Sequence, residues 1–264
     1  MTKNRHELIQ KSIQCFLRQN YPNKNLVILS QGNEDSNRQI KLYVDSLHRT
    51  DIQFLVAPEL LSLGAMRNAS VELATGEIIC QWDDDDLYHS DRLMTQFKVL
   101  MSDNRNSASL YCDFLKYFTS TNEMYWCDWS KEPKLTHQFL CGTVMFYKSI
   151  FHMYSPFYPE TGYQSVVEED LHILDKLNYK GVLAPVFAGH QYVYIFHGRN
   201  TYDLKHHQLT LDTSWGKKVL SNSELLAKKH LLEATFKNVD LKPPINIYSL
   251  EGLAFEYELP KGLV

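Results

Sequence analysis

Four consecutive aspartates, Asp83–Asp86, are the feature of this 264-residue sequence with the clearest chemical potential. Adjacent carboxylates raise one another's pKa unless a cation lies among them, so the run requires a nearby positive charge. A hard divalent ion such as Mg²⁺ or Mn²⁺ takes oxygen ligands and often shares them with the phosphates of a substrate. A solvated acidic loop, or the first turn of a helix where aspartate is favoured, would account for the same pattern. The run alone leaves both interpretations open.

Three further groups of residues could contribute to a site. The acidic group Glu168–Asp170 stands at the expected start of a helix, where N-terminal capping by itself would explain it. His197 follows an apolar run, and a single histidine is more often structural than a metal ligand. The pair Arg67–Asn68 opens the helix before the aspartates, where an arginine is either a surface charge or a contact to an anionic ligand.

Helices and strands are expected to alternate in the first half of the chain. Asn4 and Glu7 indicate a capping box at the start of the first helix, which ends before Tyr21 and Pro22. The following predicted segments are the strand Asn25–Ser30, the helix Glu34–Leu47, the strand Ile52–Val56, the helix Ala65–Ala74 and the strand Glu77–Trp82. This alternation predicts a mostly parallel sheet flanked by helices. The aspartates follow the carboxyl end of a strand, where open α/β sheets bind ligands.

The second half of the chain has a different pattern. Its predicted segments are the hairpin Ser109–Thr119 and Met124–Trp129, the strand Thr143–Tyr147, the helix Glu168–Leu177, the strands Val182–Val186 and Tyr192–Phe196, and the charged helix Ser223–Lys237. After about Trp215 the sequence predicts few further helices and strands. We therefore predict one α/β domain over residues 1–215, with a C-terminal helix and tail over 216–264 packed on it.

The composition excludes several classes of protein. A hydrophobic content of 44% provides for a sizeable core, and the net charge of −4, without a Lys/Arg block, argues against a nucleic-acid partner. Five widely spaced cysteines without a CxxC pair favour free thiols in a reducing compartment over disulfides or metal ligands. We find neither a signal peptide nor an apolar run of the ~20 residues that a membrane span needs. We expect a cytoplasmic protein and leave peripheral membrane association open.

Several short motifs follow one another in a characteristic order. They are Thr2–Arg5 (TKNR), Gln19–Pro22 (QNYP), Arg67–Ser70 (RNAS), Leu73–Ile79 (LATGEII), Trp82–Tyr88 (WDDDDLY), Asp91–Leu93 (DRL), Gly142–Phe146 (GTVMF), Glu169–Asp170 (ED) and His197–Thr201 (HGRNT). Each motif is weak alone, but together they resemble the family 2 glycosyltransferases over about residues 2–208. The resemblance implies the GT-A fold, an α/β fold with a mostly parallel central sheet.

The resemblance also assigns roles to particular residues. By it, Thr2, Asn4, Gln31, Arg67, Asn68, Asp83 and Asp84 would bind the donor, and Asp83, Asp85 and His197 would bind Mn²⁺ or Mg²⁺. Asp170, with Glu169 beside it, would be the catalytic base that removes a proton from the acceptor hydroxyl. The metal would stabilise the charge on the leaving diphosphate.

The activity implied is a metal-dependent, inverting transfer of a hexose from a nucleotide-diphosphate sugar to a hydroxyl group of a glycan or another acceptor. By family the donor would be a UDP-sugar, and the process would be polysaccharide or glycoconjugate synthesis. Single displacement on the face opposite the leaving group inverts the anomeric centre, by the logic that applies to inverting glycosidases. The chain has no QxxRW-like segment, which favours transfer of a single sugar over processive polymerisation.

Two features depart from the family pattern. Family members begin with an apolar strand before the first motif, whereas here Met1 stands directly before it, so we expect the first strand to be missing and a sheet edge to be exposed. Gln31 stands where the family has an aspartate that contacts the base. Because an amide both donates and accepts, uracil is not fixed as the base.

Two other functions remain open. A catalytically degenerate GT-A-fold binding module would explain both departures but not the retention of the acidic motifs. A nucleotidyltransferase would also need paired aspartates but leaves the other motifs unexplained. We place acceptor specificity in residues 110–165, whose aromatic residues either stack on sugar rings or belong to the core. These are Tyr125, Trp126, Trp129, Tyr158 and Tyr163.

Overall fold

The structure is a computed structural model that describes residues 1–58, 60–165, 169–211 and 218–258. The helices are α1 His6–Leu17, α2 Glu34–Ser46, α3 Leu63–Leu73, α4 Arg92–Met101, α5 Lys148–Phe151, α6 Leu171–Lys180, α7 Leu204–Leu209, α8 Asn222–Ala227 and α9 Lys229–Asn238. The strands are β1 Leu26–Ser30, β2 Ile52–Val56, β3 Ile78–Cys80, β4 Leu87–Tyr88, β5 Asn106–Tyr111, β6 Asp113–Phe118, β7 Glu123–Asp128, β8 Met145–Tyr147, β9 Val182–Val186, β10 Tyr192–Phe196, β11 Lys218–Val219, β12 Ile245–Ser249 and β13 Gly252–Tyr257.

The chain divides into two units that interleave in sequence. The first consists of Met1–Asp85, Leu93–Leu110 and Cys141–Ala184. The second consists of Asp86–Arg92, Tyr111–Leu140 and the chain from Pro185 onward. The domain boundary expected between residues 215 and 216 lies outside the described residues, so the division into 1–215 and 216–264 stays a prediction.

In the first unit, α1 and α2 pack on a parallel pair of strands. Strands β1 and β2 pair in register from Leu26 opposite Ile52 to Ser30 opposite Val56. The apolar residues of α1 recur at helical spacing and therefore form one buried face. The resulting core contains Ile9, Ile13, Phe16, Ile28, Ile40, Val44 and Ile52. This core fixes the carboxyl end of β1, where the first motif of the chain is attached.

The residue beside β1 is Thr2. The backbone N–H of Thr2 donates to the backbone oxygen of Leu29 at 3.1 Å, and the backbone oxygen of Thr2 accepts from the N–H of Gln31 at 3.2 Å. These bonds form a one-residue parallel bridge between Thr2 and Ser30. In the described residues this bridge stands where the family pattern has a full strand.

The second sheet of the first unit has the strand order β3-β8-β5-β9. Gln96 of α4 is fully buried, and its Nε2 donates to the oxygens of Ser109 (3.2 Å) and Thr143 (2.7 Å). A buried amide that satisfies backbone oxygens in this way locks a helix to its sheet. The sequence analysis did not identify α4.

The second unit is built on a mixed seven-stranded sheet. Its order is β13-β12-β7-β6-β10-β4, with β11 also paired to β7. The predicted hairpin is present as β6 and β7, with Asp113 opposite Asp128 and Phe118 opposite Glu123. The single strand expected over Ser109–Thr119 is wrong, because the chain is divided at Cys112 and Ser109–Tyr111 belong to β5. The C-terminal segment extends this sheet, because β12 runs parallel to β7 and pairs with β13. These two strands were not foreseen.

Three further local expectations were wrong. Three of the described strand registers are parallel and six are antiparallel. Two of the antiparallel pairs are hairpins and four join segments far apart in the chain, which local sequence patterns do not reveal. Asn4 does not cap α1; it has φ 55° and its Oδ1 accepts from the N–H of Asn33 at 2.7 Å. The helix expected over Ser223–Lys237 is divided at Lys228 into α8 and α9.

None of the five cysteines forms a disulfide, in agreement with the sequence analysis. Within the ranges given above, no helix has both the length and the apolar character to cross a membrane.

Candidate active site

Arg67 joins the two acidic groups that the sequence analysis singled out. Its Nε donates to Oε1 of Glu169 at 2.7 Å, and its Nη1 donates to Oδ1 of Asp83 at 3.2 Å. The side chains of Arg67 and Glu169 are only 10% and 5% exposed. Burial lowers the pKa of Arg67, but Asp83, Glu169 and Asp170 outweigh it and raise this pKa well above its usual value. Carboxylates from distant parts of the chain therefore converge on one buried guanidinium.

Close packing of α3 positions Arg67. A Cβ at Gly64 would lie 1.8 Å from the carbonyl oxygen of Pro159, so only glycine allows this approach. One turn later, Asn68 Nδ2 donates to the oxygen of Tyr158 at 2.9 Å, and its Oδ1 accepts from the N–H of Tyr158 at the same distance. The Arg67 guanidinium also lies 5.9 Å from the centre of the Tyr158 ring. The guanidinium is thus held in one place before any ligand arrives.

Asp170 lies at the start of α6 and is half-buried. Burial, followed by the charge of Glu169, raises the pKa of Asp170 to about 7, while Arg67 opposes the rise. Asp170 occupies the N-cap position but makes no side-chain capping bond, so capping does not account for it. A carboxyl group with a pKa near 7 can accept a proton at neutral pH and is suited to general base catalysis. Glu168 lies outside the described residues.

Arg5 binds the other half of the acidic run. Its Nη1 lies 3.1 Å from Asp84 Oδ1 and 2.7 Å from Asp85 Oδ2. The side chains are 27% exposed for Arg5, 7% for Asp84 and 14% for Asp85. Burial and the neighbouring Asp85 raise the pKa of Asp84, and the Met1 ammonium and the Arg5 guanidinium work against this rise. The positive charges that face the aspartates in this structure therefore include two of the protein's own arginines.

Helix α1 holds the backbone of the acidic run in place. Ser12 Oγ donates to the backbone oxygen of Asp83 at 3.0 Å, and Trp82 Nε1 donates to the backbone oxygen of Ser12 at 3.3 Å. The Trp82 ring also packs edge-on against Phe16, with centroids 6.3 Å apart. The sequence analysis missed Arg5, Ser12 and Trp82 as site residues. All three act through contacts between segments far apart in the chain, for which a single sequence carries no signal.

Asp86, the fourth aspartate, belongs to the second unit and is structural there. It is 2% exposed and accepts from the Tyr192 hydroxyl at 2.5 Å and from the N–H of Ile195 at 2.9 Å. These bonds fix β10, after which His197 follows. The N–H of His197 donates to Asn200 Oδ1 at 3.0 Å. The role of His197 as a metal ligand stays a prediction.

Three of the residues expected to bind the donor make bonds within the protein. Gln31 Nε2 donates to the oxygen of Leu61 at 3.1 Å, and Gln31 Oε1 accepts from the N–H of Leu61 at 3.0 Å. Asn68 and Asn4 are engaged as described above. The Thr2 hydroxyl, by contrast, is buried without a hydrogen-bond partner within 3.5 Å. Donor binding by these four residues stays a prediction.

The aromatic residues proposed for acceptor recognition differ in exposure. Trp126 and Tyr158 are 2% exposed and belong to the core, the assignment that the sequence analysis preferred for any single aromatic. Tyr163 is 73% exposed, and Tyr125 and Trp129 are half-buried.

The donor set fits a hard divalent ion, although the described residues contain no preformed group of three or more His, Cys, Asp or Glu side chains at metal-binding spacing. Asp83–Asp85 provide carboxylate oxygens of the type that Mg²⁺ and Mn²⁺ prefer. Asp84 Oδ2 is buried and has no hydrogen-bond partner within 3.5 Å. A buried carboxylate is costly unless positive charge lies beside it, and in this structure the Met1 ammonium and the Arg5 guanidinium supply that charge to Asp84. An ion that takes its remaining ligands from phosphate would suit this arrangement.

Comparison with known sequences places this geometry in a family. Residues 1–157, more than half of the chain, match the family model for Glycosyl transferase family 2. A curated relative, the amylovoran biosynthesis glycosyltransferase AmsB of Erwinia amylovora, is 24% identical over 98 residues, which are 37% of this chain. The match spans only about a third (33%) of AmsB.

Solved structures show the same fold. The mannosyltransferase PcManGT of Pyrobaculum calidifontis, in complex with GDP-Man and Mn²⁺, aligns with a TM-score of 0.57 at 14% identity over 91% of this chain and 68% of that chain. Residues 1–349 of TarS from S. aureus, in complex with UDP-GlcNAc, align with a TM-score of 0.56 at 15% identity over 91% of this chain and 66% of that chain. At these sequence identities the structural likeness establishes the fold, and it confirms the GT-A fold that the resemblance implied.

Proposed function

The chain belongs to glycosyl transferase family 2, and from this premise we propose that it transfers a sugar from a nucleotide-diphosphate sugar to an acceptor hydroxyl with inversion at the anomeric carbon. The observation that carries the proposal is the convergence of Asp83, Glu169 and Asp170 on Arg67. One buried guanidinium there links the aspartate run, expected at the donor, with the carboxyl group expected to act as the base.

Asp170 is the base in the proposed reaction. The acceptor oxygen forms a bond to the anomeric carbon while the bond from that carbon to the diphosphate oxygen breaks. The hydroxyl proton passes to the Asp170 carboxylate, and the nucleoside diphosphate leaves with the bonding electron pair. A pKa of about 7 makes Asp170 a stronger base than an ordinary aspartate and leaves it largely ionised just above neutral pH. Glu169 is held by Arg67 and serves to keep this pKa raised.

Cationic groups balance the charge on the leaving diphosphate. Asp83–Asp85 would hold Mn²⁺ or Mg²⁺, which when bound supplies Lewis-acid stabilisation of that charge. The guanidinium groups of Arg5 and Arg67 lie against the aspartate run and contribute positive charge.

The names of the relatives support the substrate class without fixing the base or the sugar. The structure of PcManGT is in complex with GDP-Man and that of TarS with UDP-GlcNAc, so both guanine and uracil donors occur on this fold. The resemblance favours a UDP-sugar, whereas Gln31 in place of an aspartate weakens that inference. AmsB acts in amylovoran biosynthesis, which supports a role in polysaccharide or glycoconjugate assembly. The cytoplasmic location stays a prediction.

A thermal-shift panel of UDP, GDP, CDP and dTDP, each with and without Mn²⁺, tests donor binding. A ligand that binds only the folded state raises the melting temperature by mass action. We expect one nucleotide to raise it more with Mn²⁺ than without. Binding with no turnover of any sugar nucleotide would favour the degenerate binding module. No shift from any nucleotide, in a protein that melts cooperatively, would refute the proposal.

A further inference from the structure

The contact of Arg5 with the acidic run has a consequence for metal binding. We propose that Arg5 is an exchangeable internal counter-ion, which occupies the divalent-cation position on Asp84 and Asp85 and moves to the donor diphosphate when the metal binds. The proposal rests on the proposed function for the identity of the diphosphate. Its first part, competition between Arg5 and a divalent ion, requires only the contacts of the described residues.

The contacts of Arg5 resemble those of a bridging cation. A single nitrogen, Nη1, lies within hydrogen-bond distance of one oxygen from each of two consecutive carboxylates. A divalent ion would bind the same oxygens at about 2.0–2.6 Å, which leaves no room for the guanidinium. Because both carboxylates are largely buried, they need a cation whenever the metal is absent. Arginine meets this need at every physiological pH, since it remains protonated.

Arg5 is also the arginine that can leave. It is 27% exposed, whereas Arg67 is 10% exposed and is held between carboxylates. Arg5 stands at the N-cap position of α1, and its side chain makes no capping bond, so its departure would not uncap the helix. An incoming diphosphate offers the guanidinium charge-assisted hydrogen bonds in place of those that it loses.

Asp84 and Asp85 each offer the metal the oxygen that Arg5 holds. Nη1 of Arg5 lies 3.1 Å from Asp84 Oδ1 and 2.7 Å from Asp85 Oδ2. A divalent ion can take both oxygens only as Arg5 withdraws, and an incoming diphosphate favours that withdrawal. Metal and diphosphate should accordingly bind with positive coupling, each favouring the state that the other requires.

Mn²⁺ titration followed by electron paramagnetic resonance, in which bound Mn²⁺ loses the signal of the free ion, tests the competition directly. Without nucleotide, Arg5→Gln should bind Mn²⁺ about tenfold more tightly than the wild type, because a unit positive charge no longer opposes the ion at short range. Arg5→Lys, which keeps the charge, should stay within about twofold of the wild type. The matched control is Arg38→Gln, which removes a 67% exposed arginine from another ion pair and should leave Mn²⁺ affinity unchanged.

The second measurement repeats the titration with the nucleoside diphosphate that gives the largest thermal shift. Addition of the nucleotide should increase the Mn²⁺ affinity of both proteins, and the increase should be larger for the wild type than for Arg5→Gln. Equal or weaker Mn²⁺ binding by folded Arg5→Gln, or no binding by either protein, would overturn the proposal. If Arg5→Gln does not fold, a wild-type Mn²⁺ affinity that stays the same when the nucleotide binds would overturn the proposal as well. A wild type that binds Mn²⁺ but no nucleotide would refute the proposed function and leave the competition standing.

Discussion

Nε of Arg67 lies 2.7 Å from Oε1 of Glu169, although the two residues are 102 positions apart in the chain. The same guanidinium donates to Asp83. Because both contacts are largely buried, Arg67 is at once a structural ion-pair partner and the residue that brings the acidic groups together. Removing one partner of a buried ion pair leaves an uncompensated charge, which is far more costly than the pair itself.

We therefore expect Arg67→Met to destabilise the protein. The free energy of unfolding should fall by about 3 kcal/mol, because the Glu169 carboxylate is left buried without its cation. Urea denaturation measures this loss. Arg105→Met is the matched control, since Arg105 is 75% exposed and its pairing with Asp103 lies at the surface. If both substitutions changed stability equally, Arg67 would not have the structural role assigned to it.

The pH dependence of sugar transfer should report Asp170. A base must be deprotonated, so kcat/KM should rise with pH below about 7 and level off above it, since the pKa of Asp170 is raised to about 7. Asp170→Asn should abolish this limb together with most of the activity. A pH profile measured on the wild type that is flat between pH 5 and 8 would contradict the assignment of the base.

Asp170 should also lower stability at alkaline pH. Its folded-state pKa is raised, so the native state binds more protons than the unfolded chain between the unfolded value, about 3.9, and about 7. The stability contributed by the protonated form is present at low pH and is lost as the pH rises through 7. Asp170→Asn should thus be more stable than the wild type at pH 8, with the difference shrinking toward pH 4. Equal unfolding free energies at pH 8 would show that the Asp170 charge is not destabilising.

Asp85 and Asp86 are neighbours in sequence but should respond to substitution in opposite ways. Asp86→Asn replaces the carboxylate that accepts from the Tyr192 hydroxyl and the Ile195 N–H with a poorer acceptor. We expect the free energy of unfolding to fall by about 1–3 kcal/mol. Asp85→Asn should cost less stability than Asp86→Asn, because Arg5 keeps Asp84 as a partner, but it should reduce Mn²⁺ binding. Chemical denaturation and metal titration of both variants distinguish these outcomes. Loss of metal binding in Asp86→Asn with full stability would reverse the assignment.

Much of the backbone followed from the sequence. Strands β2, β9 and β10 have the bounds that their β-branched and aromatic runs predict, and α2 differs from its expected range at one residue. These segments carry strong local signals. Helix α4 and strands β12 and β13 were not identified, because their identity depends on packing and pairing with distant segments.

The site was only partly predictable. The motifs identified the acidic groups and Arg67, but not that Arg67 connects them. Arg5 was recognised as part of a motif and not as a site residue. Its partners Asp84 and Asp85 are 79 and 80 positions away in the chain, and local sequence patterns do not reveal such contacts. The bonds from Gln31 to Leu61 were also hidden, because residue type indicates what a side chain can bind and not what it does bind.

The most direct test of the central claim is hydrolytic release of nucleoside diphosphate from a panel of sugar nucleotides with Mn²⁺, in which water takes the place of the acceptor hydroxyl and gives its proton to the base. Release is measured for the wild type, Asp170→Asn and Asp175→Asn. Asp175 lies on the same helix as an exposed carboxylate and is the matched control. We predict release by the wild type and Asp175→Asn from one class of donor, and a loss of at least about a hundredfold in Asp170→Asn. Undiminished release by folded Asp170→Asn, or no release from any donor by a wild type that binds the nucleotide, would contradict the account.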